Sequence, residues 1–241
     1  MVSSNDTKER LIASALELVS KRSYANVGVQ ELCEHSNAKK GSFYYFFKSK
    51  QDLMLEALEH QAQVVNNKIL TPAFSSNVAP LERIERMFNL TYKYQKSLKE
   101  KTGRVTGCFF GNLALELSTQ DEAIRRLLDK IFNRQIELIK QCLEEAVTMG
   151  QLAEIDIQLT ADFVPVLYHD GELERLSASA GEICTTRLAQ LQRHGAFYPS
   201  RFGQKFRGTP IATLHQLLSQ LHGGEAQVFI DDPEQAFHSG E

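Results

Sequence analysis

The chain has 241 residues, 42% of them apolar and 24% charged, which is enough to bury a core in one large or two modest domains. A formal net charge of −3 excludes a protein that is basic overall, so affinity for a polyanion has to come from a local strip. No run approaches ~20 apolar residues and the N-terminus lacks the apolar centre of a signal peptide, so a cytoplasmic protein with no membrane contact is expected.

In chain order, Asp6-Thr7-Lys8-Glu9 reads as a capping box, with Asp6 as N-cap and Glu9 reaching back. Leu11, Ile12, Ala15, Leu18 and Val19 then recur at helical spacing, which predicts a first helix over 7–22. A short second helix over 29–35 buries Val29, Leu32 and Cys33. Ser36-Asn37-Ala38 is too short to join distant elements, and Asn tolerates the left-handed backbone of a tight corner. A third helix carries 39–45, and Ser49 with Asp52 caps a fourth. The stretch from Lys39 to Lys50 holds four lysines, no acid, and a glycine ahead of an aromatic cluster. Lysines neutralise phosphates and release counterions, and tyrosine hydroxyls and helix-terminal N–H groups hydrogen-bond phosphate oxygens. Residues 1–56 carry eight Lys/Arg against seven Asp/Glu, whereas the remainder carries nineteen against twenty-three. The pattern is a small basic head on an acidic body.

The body is helical throughout. Thr71-Pro72 and Ser75-Ser76-Asn77 mark a loop, and Pro80 opens a helix whose stripe includes Ile84, Met87, Phe88, Thr91, Tyr94 and Leu98 and ends before Gly103. A short helix over 108–117 follows. Thr119-Gln120-Asp121-Glu122 is a capping box for the longest helix, which Gly150 stops. Further helices are expected over 159–167, 172–193 and 209–221, and the end, 225–241, is expected to be a disordered tail. Cys33, Cys108, Cys142 and Cys184 show no metal-ligand spacing, so neither a zinc site nor a disulfide framework is expected.

The helix–corner–helix unit resembles the DNA-binding domain of TetR-family transcriptional regulators over residues 7–56. The specific part is Gly-x-x-Tyr-x-x-Phe-x-x-Lys, here Gly41, Tyr44, Phe47 and Lys50. Two positions depart from the family's pattern: Asn37 stands where Gly is usual in the corner, and Phe46 stands where His is usual, which removes a phosphate donor. The resemblance implies an all-α protein in three parts. Residues 1–56 form a helix-turn-helix DNA-binding domain, 57–224 a helical-bundle ligand-binding and dimerisation domain, and 225–241 the tail. It places the dimer helices within 156–222.

In such a head the later helix enters the major groove. Lys39, Lys40, Ser42 and Tyr45 are expected to approach base edges or adjoining phosphates, and Tyr44, Lys48 and Lys50 to clamp the backbone. Gly41 permits close approach and Gln30 flanks the surface, while Phe43, Phe46 and Phe47 pack beneath. The segment from Gly107 to Leu117 resembles one branch of the family, in which regulators respond to electrophiles, oxidants or small unsaturated compounds. Two readings of Cys108 stay open. It is a sensing or pocket-lining thiol, its pKa lowered by the helix dipole with Arg104 nearby, or it is a small buried apolar residue. Phe88, Tyr92 and Phe109 are the companion candidates for an effector site, against the plainer reading that aromatics at helical spacing are core. His169-Asp170 looks like half of a catalytic or metal pair, but no third partner lies near it, and exposure or helix capping is the plainer reading.

No nucleophile elbow, zinc-protease helix, Gly-rich phosphate loop or carboxylate pair is present, so neither enzymatic activity nor a cofactor or metal is expected. The reading is a homodimeric repressor that binds double-stranded DNA and answers to a small-molecule effector or electrophile. The rival is a helical adaptor of the same fold that binds a protein partner.

Overall fold

The computed structural model describes residues 4–162, apart from 76, 104–106, 153–155 and 159, and every regular element among them is helical. The helices expected beyond 162, the tail, His169-Asp170, Cys184 and Arg104 lie outside the described residues, as does nearly all of the expected dimer region.

Three short helices and the start of a fourth make the head: α1 (Ser4–Lys21), α2 (Val29–His35), α3 (Lys40–Phe46) and α4 (Lys50–Val65). Asn37 turns the corner between α2 and α3 at φ 50°, the left-handed conformation expected of it. Ser49 caps α4, its hydroxyl accepting from the Asp52 N–H at 3.0 Å, and Asp52 accepts in return from the Lys48 N–H at 3.1 Å. The start of α1 differs from expectation. Asp6 lies inside its first turn, where it pairs with Arg10 one turn on and offsets the dipole.

Beyond the head, α4 does not end in a loop. A π-helical turn over Asn66–Leu70 joins it to a one-turn helix, α5 (Thr71–Ala73). Pro72 lacks an N–H and would break an ordinary ladder. The widened turn shifts the register just ahead of it, so that the Thr71 N–H reaches the Asn66 carbonyl five residues back. The body then contains α6 (Pro80–Thr102), α7 (Phe109–Leu117) and α8 (Glu122–Thr148). Pro80 opens α6, and Gly103 (φ 75°) ends it in the left-handed region. The expected capping box of α8 is replaced by a single N-cap two residues later. Thr119 and Gln120 complete a turn closed onto the Leu117 carbonyl, and the N-cap is Asp121, whose carboxylate accepts from the Ile124 N–H at 3.0 Å.

Two apolar clusters hold these helices. The first unites head and body: Leu11, Leu32, Phe43, Leu53 and Leu58 pack in one cluster with Phe110, Leu113, Leu117, Ile124 and Leu128. The second joins Ile69, Ile84 and Met87 to Ile139, Leu143 and Ala146 along α6 and α8. Burying a Leu, Ile or Phe side chain stabilises by about 1.5–3 kcal/mol. Because the first cluster crosses the boundary, the head is seated on α7 and α8 rather than tethered to them.

Candidate nucleic-acid interface

The helix α3 has two faces with opposite chemistry. Phe43 (0% exposed) and Phe47 (2%) are buried, with their rings 5.8 Å apart, and Phe46 is half-buried beside them. On the other face Lys40, Gly41, Tyr44 and Tyr45 are exposed, with Ser42 half-buried between them and Lys39 and Lys48 exposed just beyond the two ends. Tyr45 is 78% and Tyr44 52% exposed, which is unusual for large aromatic side chains in a soluble core-forming helix. Tyr44 stands edge-on to Phe43 at 5.2 Å and Tyr45 edge-on to Phe46 at 4.9 Å, so the buried rings orient the exposed ones.

Gly41 adds to this. Glycine inside a helix costs about 0.5–1 kcal/mol relative to alanine. A Cβ built at this position would meet nothing within 4 Å, so packing inside the chain does not require the glycine. Gln30 is exposed on α2, donating to Glu34 at 3.0 Å.

Lys50 requires a correction. It was expected to clamp a phosphate, yet its ammonium turns inward, donating to the Tyr24 carbonyl at 3.0 Å and the Val27 carbonyl at 3.1 Å. It also lies 4.0 Å above the Tyr24 ring centre. Burial pulls its pKa below the ordinary lysine value, and the carboxylate of Glu116 pulls it back up. The reason is local: α4 begins at Lys50, and the loop between α1 and α2 presents two carbonyls to that N-terminus. The cations exposed beside α3 are therefore Lys39, Lys40 and Lys48.

The four effector candidates do not gather at one place. Cys108 and Phe109 belong with the first apolar cluster, and Phe88 and Tyr92 pack against the second. Cys108 is the N-cap of α7, as the sequence suggested, and its Sγ accepts from the Gly111 N–H at 3.5 Å. The expected lowering of its pKa does not occur. Burial pushes the thiol up to about 11, outweighing the backbone N–H groups of Gly111 and Phe110. A raised folded-state value favours the protonated thiol. That contribution to stability is complete below pH 9, the ordinary value, and is lost as pH rises through 11. At neutral pH the folded chain thus holds Cys108 as a thiol.

A cleft of about 460 Å³ opens between the end of α1 and α7, lined by Val19, Arg22, Phe109, Leu113, Leu115 and Glu116 among others. Sequence reasoning missed Glu116. Its carboxylate reaches across more than ninety residues to the α1–α2 loop, accepting from the N–H of Tyr24 at 2.9 Å and of Ala25 at 2.7 Å. No local pattern signals such a contact. Among the described residues no group of three His, Cys, Asp or Glu is arranged to hold a metal ion, and no helix is long and apolar enough to cross a membrane.

The family model of bacterial regulatory proteins, tetR family, matches residues 11–57, and that of the tetracyclin repressor-like C-terminal domain matches 80–174. A third model, the glycerophosphoryl diester phosphodiesterase family, matches 141–237 and so overlaps the second match. The chain is 30% identical over 142 residues to the HTH-type transcriptional repressor NemR of Escherichia coli (strain K12), covering 58% of this chain and 68% of NemR. It is 28% identical over 128 residues to an HTH-type transcriptional regulator of Lactococcus lactis subsp. lactis, covering 53% of this chain and 63% of that one. Among solved structures, the regulatory protein TetR from Rhodobacter sphaeroides superposes with a TM-score of 0.59 at 27% identity, over 70% of this chain and 87% of that one. NemR in its reduced form superposes with a TM-score of 0.56 at 22% identity, over 91% and 95%.

Proposed function

Since the chain belongs to the TetR family of transcriptional regulators, we propose that it is a homodimeric repressor that binds a palindromic operator and releases it on meeting a small molecule or an electrophile. The observation that carries this reading is the outward face of α3, where Lys39, Lys40, Tyr44 and Tyr45 stand exposed over buried Phe43 and Phe47. Lys39 and Lys40 meet phosphates or base edges, Tyr45 and Ser42 reach into the groove, and Tyr44 and Lys48 hold the backbone. Gly41 lets the duplex come close. One such helix reads few base pairs, so a pair of heads on half-sites one turn apart supplies the specificity. The exposed cations disfavour the adaptor alternative, which has no need of them. The site of action is the cytoplasm, where the DNA is.

Repression is favoured because NemR is a repressor. The response requires an effector that binds the DNA-bound and released shapes with different affinity. Cys108 is the proposed thiol arm. An electrophile adding to it would displace the N-cap of α7. Cys108→Ser is expected to abolish loss of DNA binding on treatment with a thiol-alkylating reagent, and an equal response in both proteins would remove Cys108 from the mechanism.

The direct test is footprinting of the purified chain on DNA flanking its own reading frame. Two protected half-sites with centres about 10 bp apart, or a multiple of that, are expected. Failure to protect any site at low salt would overturn the reading.

One observation favours a second reading of the last third of the chain. The phosphodiesterase-family match at 141–237 includes His169-Asp170 and runs through the stretch where the resemblance placed the dimer helices. On this reading a segment of different descent follows the regulator-like part, and dimerisation must use other surfaces. Light scattering decides the dimer, and hydrolysis of a glycerophosphodiester by the purified chain decides whether the segment is active. The regulator reading expects no turnover.

A further inference from the structure

Two acids of the body reach into the head. Asp121, the N-cap of α8, accepts from the Gln51 amide through both oxygens, at 2.9 and 2.7 Å. Glu116 goes further, because its partners are successive backbone N–H groups of the α1–α2 loop. Adjacent N–H groups converging on one carboxylate make charge-assisted bonds with defined geometry. The loop is thereby held from two sides. Its amides at Tyr24 and Ala25 are bound by α7, and its carbonyls at Tyr24 and Val27 are bound by Lys50 of α4. Glu116 and the Lys50 ammonium also attract each other across it.

This loop leads directly into the helix pair that carries the exposed face. Val27 is followed at once by Gly28, the N-cap of α2, and α2 passes into α3 through the fixed corner at Asn37. A movement of residues 24–27 is therefore carried into α2 and α3. The clamp itself belongs to α7, the helix that Cys108 caps and that walls the cleft beside α1. Hydrogen bonds at 2.7–2.9 Å are lost when the partners separate by about another ångström, so a small shift of α7 would release both amides together.

We propose that Glu116 is the positioning residue through which the body sets the DNA-reading head. With the clamp closed α2 and α3 are held ready for DNA, and with α7 displaced they are freed. The proposal rests on the regulator reading given above.

Glu116→Gln tests it, since it preserves size while turning one acceptor oxygen into an NH2 group facing an N–H. Amide hydrogen exchange is measured at residues 24 and 25 and along α2. Affinity per folded molecule is measured for a duplex carrying the footprinted site. Exchange about tenfold faster at Tyr24 and Ala25, spreading through α2, is expected, together with DNA binding about tenfold weaker. Met149→Ala, at the far end of α8 and 63% exposed, is expected to alter neither. Faster exchange confined to 24 and 25, or affinity equal to the wild type, would overturn the proposal. A wild-type chain that protects no DNA would instead defeat the regulator reading, and the exchange arm would still decide whether Glu116 positions α2.

Discussion

Lys50→Met is expected to destabilise the folded chain by about 2 kcal/mol, read as a fall in Tm of about 4–8 °C, while the folded variant keeps the wild-type salt dependence of DNA binding. The ammonium donates to the carbonyls of Tyr24 and Val27 and lies over the Tyr24 ring. Methionine fills similar volume but leaves both carbonyls without that donor. It also leaves Glu116 without its facing cation. A normal Tm combined with a flatter salt slope would mean that Lys50 points at DNA after all.

Phe43→Ala is expected to cost about 3–5 kcal/mol, the range for removing a fully buried phenyl ring. Phe43 is 0% exposed at the centre of the first cluster and supports both Tyr44 and Phe47. Tyr45→Ala, two residues along on the opposite face, is expected to change the urea midpoint little, because surface substitutions rarely exceed about 0.5 kcal/mol. Its effect belongs on DNA affinity. Equal loss of stability in the two variants would mean that α3 is not seated by its phenylalanines.

The head was legible because local rules agree with one another there. The left-handed Asn37, the Ser49–Asp52 cap and the spacing of Leu11, Leu32, Phe43 and Leu53 each act within a few residues. The direction of Lys50 was not legible. Spacing placed it after the aromatic cluster, but two carbonyls from residues 24 and 27 decide where it turns. Cys108 shows the same limit. Its place at a helix start was readable, whereas the burial that pushes its pKa up depends on helices far along the chain. The Glu116 clamp joins residues 91 and 92 positions apart and leaves no periodic trace. At α8 a capping pattern was present, but the extended backbone at Asp121 moved the true cap.

Contact between the exposed face of α3 and phosphates is tested most directly by the salt dependence of Lys40→Ala. Log K for the footprinted duplex, plotted against log salt, is expected to be shallower than the wild type by about one unit. Affinity at low salt should fall with it. A slope identical to the wild type, at unchanged stability, would show that Lys40 faces solvent alone and would contradict the assignment of this helix to DNA.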